Sequence, residues 1–334
     1  MSRHIRRSGP KKNISVRPYQ LLCLVCRLGA RVKPGASGKQ LDRLQKLFQR
    51  DPNIPVRLVC NVDGLYRYQN PGHVMDSAGG RLFNEKRDLD ILQKMGMSPG
   101  DTRPARDLIE RLLQSVKTVR DICGDAGRRA SPAWRGCLLA GSGVFERGHG
   151  KAFAALIPAR PAREKAMAKQ RSAAAIYRSK QLYIRPHHLM CMACFYSRQA
   201  FEPIAEDNLF EVLDVMRKNP DIPVTLVRGC CMICPPCSAY DSATGLCTGG
   251  HGMGLRDQKK DLDVLRRLGL DYGDTLPARV LYQRLFRSIR SAREICGLVE
   301  SGEAWTSCGT AFRKAYERSR ASGMGLVRGC SRNK

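Results

Sequence analysis

The chain has 334 residues, enough for about two ordinary domains, and its 43% apolar and 26% charged content is the mix of a folded protein, which excludes wholesale disorder. It contains no run of about 18 apolar residues, and Met1 to Lys12 is basic and polar, so neither a membrane span nor a secretory signal is expected and a cytoplasmic chain is. The net charge of +28 is uneven: residues 1 to 180 hold 36 Lys and Arg against 14 Asp and Glu, whereas residues 181 to 334 hold 22 against 16.

In chain order, Ile14 to Val16 reads as a short strand and the apolar segment from Pro18 to Arg27 as a helix. Leu41, Leu44 and Phe48 follow at three-and-four spacing, the pattern of an amphipathic helix, and the β-branched segment from Ile54 to Val59 reads as a strand with Pro55 near its start. A helix is expected over 87–95 and a longer one over about 103–122. Asp101-Thr102 offers the longer helix a cap, Pro104 falls in its first turn, and Leu108, Leu112 and Val116 form its buried stripe.

The same order then returns. Arg17-Pro18-Tyr-Gln-Leu-Leu-Cys23-Leu-Val-Cys26 aligns with Arg185-Pro186-His-His-Leu-Met-Cys191-Met-Ala-Cys194, and Ile54-Pro55-Val56 aligns with Ile222-Pro223-Val224. After a slip of five residues Gly100-Asp101-Thr102 aligns with Gly273-Asp274-Thr275, Ile122-Cys123 with Ile295-Cys296, and Trp134-x-x-Cys137 with Trp305-x-x-Cys308. The expected architecture is therefore α+β and mainly helical. It consists of two tandem repeats (14–156 and 181–326), each with about four helices and a short two-stranded sheet, joined by a basic, Ala-rich linker over 157–180.

The copies differ most at residues 228 to 251. There Cys231, Cys234 and Cys237 recur every third residue in a stretch rich in Gly and Pro, with Cys230 before them and Cys247 after. Five cysteines in a turn-rich loop of a reducing compartment point to a bound metal rather than to packing or disulfides. Copy one has Asp63, Tyr66 and Ser77 where Cys231, Cys234 and Cys247 stand, and Tyr19 and Gln20 in place of His187 and His188. It reads as a degenerate partner lacking the loop cysteines.

Cys23, Cys26, Cys123 and Cys137 do correspond to Cys191, Cys194, Cys296 and Cys308. They are either core thiols or a thiolate site in each half. His188 is a candidate ligand or proton donor, and either histidine would otherwise hydrogen-bond backbone or sulfur; His251 is a weaker candidate. Zinc, with four tetrahedral ligands, suits Cys191 and Cys194 with Cys231 and Cys234, whereas the C-x2-C-x2-C run suits a 4Fe-4S cluster.

From Arg185, the motif Arg-Pro-His-His-Leu-Met-Cys191, the Ile-Pro-Val strand, Cys231-x2-Cys234-Pro235, Cys247 and Ile-Cys296 resemble a family of small archaeal and bacterial proteins known only as iron-sulfur-type metalloproteins of unknown function. The resemblance covers about residues 181–310. It implies a 4Fe-4S cluster on Cys191, Cys231, Cys234 and Cys247, with Cys237 competing for a place, used for electron transfer, redox sensing or structural support with an unknown redox partner.

A zinc-stabilised, basic nucleic-acid-binding protein is the alternative, and a cluster-dependent enzyme comes third, since no nucleotide fingerprint, nucleophile elbow or H-E-x-x-H helix occurs. Few aromatics interleave the basic stretch 128–180, so only weak, non-specific nucleic-acid binding is expected. Such binding through six phosphate contacts falls roughly a thousandfold between 50 and 200 mM salt, which a filter-binding titration checks.

Overall fold

The computed structural model describes residues 13–30, 38–63, 67–71, 79–124, 132–197, 201–242, 244–248, 253–297 and 313–329. It divides into two compact units, Met1–Ala159 and Arg160–Lys334, and among the described residues no helix is long and apolar enough to cross a membrane.

The first unit begins with β1 (Ile14–Val16) and α1 (Pro18–Ala30), followed by α2 (Lys39–Arg50), β2 (Pro55–Leu58) and a small ribbon of β3 (Val62–Asp63) and β4 (Arg67–Pro71). It continues through α3 (Arg81–Met95), β5 (Thr102–Pro104), α4 (Ala105–Ser115), α5 (Arg120–Cys123) and α6 (Val144–Leu156). The second unit opens on α7 (Ala162–Tyr177), then β6 (Leu182–Ile184), α8 (Pro186–Tyr196), α9 (Leu209–Lys218), β7 (Pro223–Leu226) and a ribbon of β8 (Tyr240–Asp241) and β9 (Leu246–Cys247). It closes with α10 (Met253–Leu268), β10 (Thr275–Pro277), α11 (Ala278–Ser288), α12 (Arg293–Cys296) and α13 (Ala315–Ser322). The fold is α+β and mainly helical.

The main sheet of each unit has three strands, one more than expected. β2 lies between β1, its parallel neighbour, and β5, its antiparallel one; β7 lies likewise between β6 and β10. The extra strand is the segment expected to cap a helix. Gly100 and Gly273, at φ +91° and +101°, make a left-handed turn that L side chains resist, and they direct Thr102–Pro104 and Thr275–Pro277 along the sheet. Asp101 closes this turn by accepting from the Ser98 amide (3.0 Å), so its carboxylate is not the helix cap.

The helix expected over 103–122 is also interrupted. Val116 leaves it with extended backbone, φ −117° and ψ 108°, while its side chain stays buried, and Ile289 does the same in the second unit. The buried stripe of Leu108, Leu112 and Val116 runs through the break, so apolar periodicity alone gave no sign of it.

Within 157–180, read from composition as linker, residues Ala162–Tyr177 form the helix α7, whose Ala168 and Ile176 are buried and whose Lys169 pairs with Glu211 at 2.6 Å.

In the first unit Arg17, wholly buried, donates to Asp88 at 2.7 Å, and the Tyr19 amide donates to the other carboxylate oxygen at 2.8 Å. Burial pushes the Asp88 carboxyl up to about 6 despite Arg17 and the Tyr19 amide. α1 and α6 cross at two glycines. A Cβ on Gly29 would stand 1.7 Å from the Val144 carbonyl oxygen, and one on Gly148 would stand 2.1 Å from that of Val25. Gly29→Ala therefore forces the helices apart, and a loss of about 1–3 kcal/mol is expected in urea unfolding of the full chain.

Candidate metal centre

α8 begins at Pro186, whose fixed φ and missing amide hydrogen suit the first helical position. From that start, successive turns place His188, Cys191 and Cys194 three residues apart, on neighbouring positions of one face. The loop from Gly229 supplies the next thiols. Gly229 takes φ +81°, and then three turns follow at the spacing of the cysteines themselves. The Cys234 amide donates to the Cys231 carbonyl (3.0 Å), Cys237 to Cys234 (2.9 Å) and Tyr240 to Cys237 (3.1 Å). The ribbon then brings Cys247 opposite Tyr240.

The loop backbone is held from outside. Met232 donates to the Tyr183 carbonyl (3.2 Å), and Asn208 binds the carbonyls of Ile233 through its amide (3.1 Å) and of Met232 through its side chain (2.8 Å). Arg160, before α7, donates to the carbonyls of Pro235 (2.5 Å) and Cys237 (3.1 Å) and lies over the Tyr240 ring. Glu164 of α7 accepts from Ser242 at 2.8 Å.

On the inner side is a cavity of about 310 Å³ lined by seven cysteines: Cys191 and Cys194 of α8, Cys230, Cys234 and Cys237 of the loop, Cys247 of β9 and Cys296 of α12. His187 and His188 line it too, with Arg185, Arg256 and Lys260 among its cations. Cys231 does not line it. It lies alongside, its sulfur 3.1 Å from His188 Nδ1 and 4.0 Å from Cys234 Sγ. Among the described residues, His188, Cys231 and Cys234 are the group whose donor atoms all lie within 4.8 Å of one another, and they could hold a metal.

The thiols are electrostatically unequal. Hydrogen bonding with the Cys230 and Cys231 thiols, against the opposing effect of burial, lowers Cys234 well below the ordinary thiol range. Cys231 is pushed well up by burial and by that hydrogen bond. Burial, then the neighbouring His187, lowers His188 to about 4, which leaves a neutral imidazole with a lone pair at neutral pH.

No family model, curated protein or solved structure matches the chain. The donor set is soft. Thiolate with imidazole suits zinc or iron-sulfur chemistry and disfavours the hard cations that take oxygen ligands.

Asp261 of α10 organises the approach to this cavity. One oxygen accepts from Arg185 Nε (3.0 Å) and Nη2 (2.7 Å), and the other from the His187 amide (2.9 Å) and lies 2.8 Å from His187 Nδ1. The His187 ring meets the His188 ring edge-on at 4.6 Å between centroids, so the carboxylate fixes one imidazole against the next.

Of the residues singled out from sequence, Cys191, Cys234, Cys237, Cys247 and His188 share the cavity and Cys231 stands beside it. Cys230, one of the five loop cysteines but outside the ligand set the resemblance implies, lines it as well, as do Cys194 and Cys296, whose signal was their recurrence in both halves. Asp261 was missed, although Arg17 with Asp88 and Arg185 with Asp261 recur at the offsets of the sequence alignment. His251, Cys308, Trp305 and Cys330 lie outside the described residues, as do Tyr66 and Ser77.

Proposed function

We propose that the second unit is a metal-binding module holding one 4Fe-4S cluster. The observation that supports this is the single cavity lined by seven thiols from four separate segments. One zinc takes four ligands in a tetrahedron, whereas thiols spread around a cavity suit a polynuclear centre in which each sulfur binds its own iron. On this reading the ligands come from Cys191, Cys231, Cys234 and Cys247, as the resemblance implies, with Cys237 in competition. The cluster serves electron transfer, redox sensing or structural support. The reading also takes the two units as copies of one ancestor, supported by their equal strand order and by registers that pair Ile14 with Val56 and Leu182 with Val224.

Zinc is the second reading, favoured by the compact His188, Cys231 and Cys234 group. The two separate in one measurement. Protein purified without oxygen is expected to be brown, with iron and sulfide in equal amounts and visible absorption bleached by dithionite. A colourless protein with stoichiometric zinc would sink the cluster.

A further inference from the structure

The first unit has a thiol-lined cavity of its own, of about 140 Å³, with none of the loop cysteines in its lining. Cys23 and Cys26 of α1, Cys123 of α5 and Cys137 line it, with Arg27 and Arg87 in the same wall. Four cysteines from three segments around one small cavity are more than packing needs, because a core thiol serves packing from any apolar position.

The cations bear on what fills it. Arg27 is 7% exposed; its Nη2 is paired with Asp42, while its Nη1 is buried with no hydrogen-bond partner. Arg87, 4% exposed, sits 4.1 Å from the Tyr19 ring centroid and donates to Asn84 at 2.5 Å. Two guanidinium groups buried in the wall of a thiol cavity match an occupant that is anionic with its ligands, as four thiolates around a core of charge 2+ or less are.

Spacing bears on its size. Zinc at about 2.3 Å from each sulfur draws its ligands to about 3.8 Å from one another. Among the described residues the only three donors mutually within 4.8 Å are those of the second unit, so the four first-unit sulfurs are set wider than a single ion holds them.

We propose that Cys23, Cys26, Cys123 and Cys137 ligate a second iron-sulfur cluster, so that the half lacking the loop cysteines is itself a metal centre. Binding is a ligand exchange in which each thiol gives its proton to solvent as its sulfur displaces a water from iron; ferric iron and sulfide supply the core, and a dithiol reductant, itself oxidised to its disulfide, gives the two electrons that bring four ferric ions to two ferric and two ferrous.

The test uses the full chain with Cys191, Cys194, Cys230, Cys231, Cys234, Cys237, Cys247 and Cys296 changed to serine, which leaves the second-unit cavity and its margin without a thiol. Reconstituted without oxygen with ferric iron, sulfide and dithiothreitol, this chain is expected to hold one cluster's iron and sulfide and to lose at least tenfold of both on adding Cys26→Ser. Adding Cys60→Ser instead, at a buried cysteine outside the cavity, is expected to leave them unchanged. Cys137→Ser, at a half-buried position, repeats the loss with far-UV circular dichroism unchanged, which separates ligand loss from unfolding. Absence of iron and sulfide in the parent variant, equal iron with and without Cys26, or one zinc in place of iron would each overturn the proposal. Because the parent variant lacks the second-unit ligands, these outcomes do not depend on the proposed second-unit cluster.

Discussion

Cys234→Ser is expected to reduce the metal content of the second unit more than tenfold. Its sulfur belongs both to the cavity and to the compact group with His188 and Cys231, so the proposed cluster and the compact zinc group both use it. Hydrogen bonding with two neighbouring thiols also lowers it toward the thiolate form that binds metal, whereas serine keeps the size but has no thiolate to offer. Metal analysis of the anaerobically purified variant checks this, and retention of half the wild-type metal would refute it. Adjacent variants then sort the ligand set. Loss in Cys231→Ser with retention in Cys230→Ser upholds the set implied by the resemblance, and the reverse order moves the ligand place to Cys230, which lines the cavity. Metal affinity is expected to rise with pH through the neutral range. Cys230 and Cys231 are both raised above the ordinary thiol range, and whichever of them binds must first release its proton.

Asp261→Ala is expected to destabilise the second unit by about 3–5 kcal/mol, the usual result of leaving a buried charge without its partner. Arg185 and His187 are both buried and both depend on this carboxylate. The double variant Arg185→Met with Asp261→Leu is expected to recover most of that loss, because removing both charges together is often nearly neutral. Urea unfolding of the metal-free chain measures both, and equal losses in the single and double variants would show that the pair is not the source.

The pH dependence follows from the same contacts. Burial works against ionisation of Asp261, but His187 and Arg185 outweigh it and hold the carboxyl below its ordinary 3.8. A carboxyl depressed in the folded state adds stability above its unfolded value and loses it as the pH falls through the folded one, so this contribution disappears only below about pH 4. Asp88, with its carboxyl raised to about 6, has the opposite sign: its contribution is present in acid and is lost as the pH rises through about 6.

The sequence by itself determined the secondary-structure order, because apolar spacing records which face each element buries. Leu44, Phe48, Leu108 and Leu112 are all buried as their period requires, and the strands at 14–16, 55–58, 182–184 and 223–226 fall on β-branched and apolar runs. It also marked the cysteine loop, since Gly, Pro and a three-residue cysteine period are local features. Only the tertiary structure decided which thiols meet. Cys194 and Cys296 are 102 positions apart in the chain yet line one cavity, whereas the side chains of adjacent Cys230 and Cys231 diverge, one lining the cavity and the other alongside it at His188. The third strand of each sheet was likewise invisible: Asp-Thr before Pro has the chemistry of a helix cap, and the backbone bonds of β2 and β7 assign it instead to a strand. Local sequence records propensity and period, but convergence of side chains depends on chain reversals whose angles no short stretch encodes.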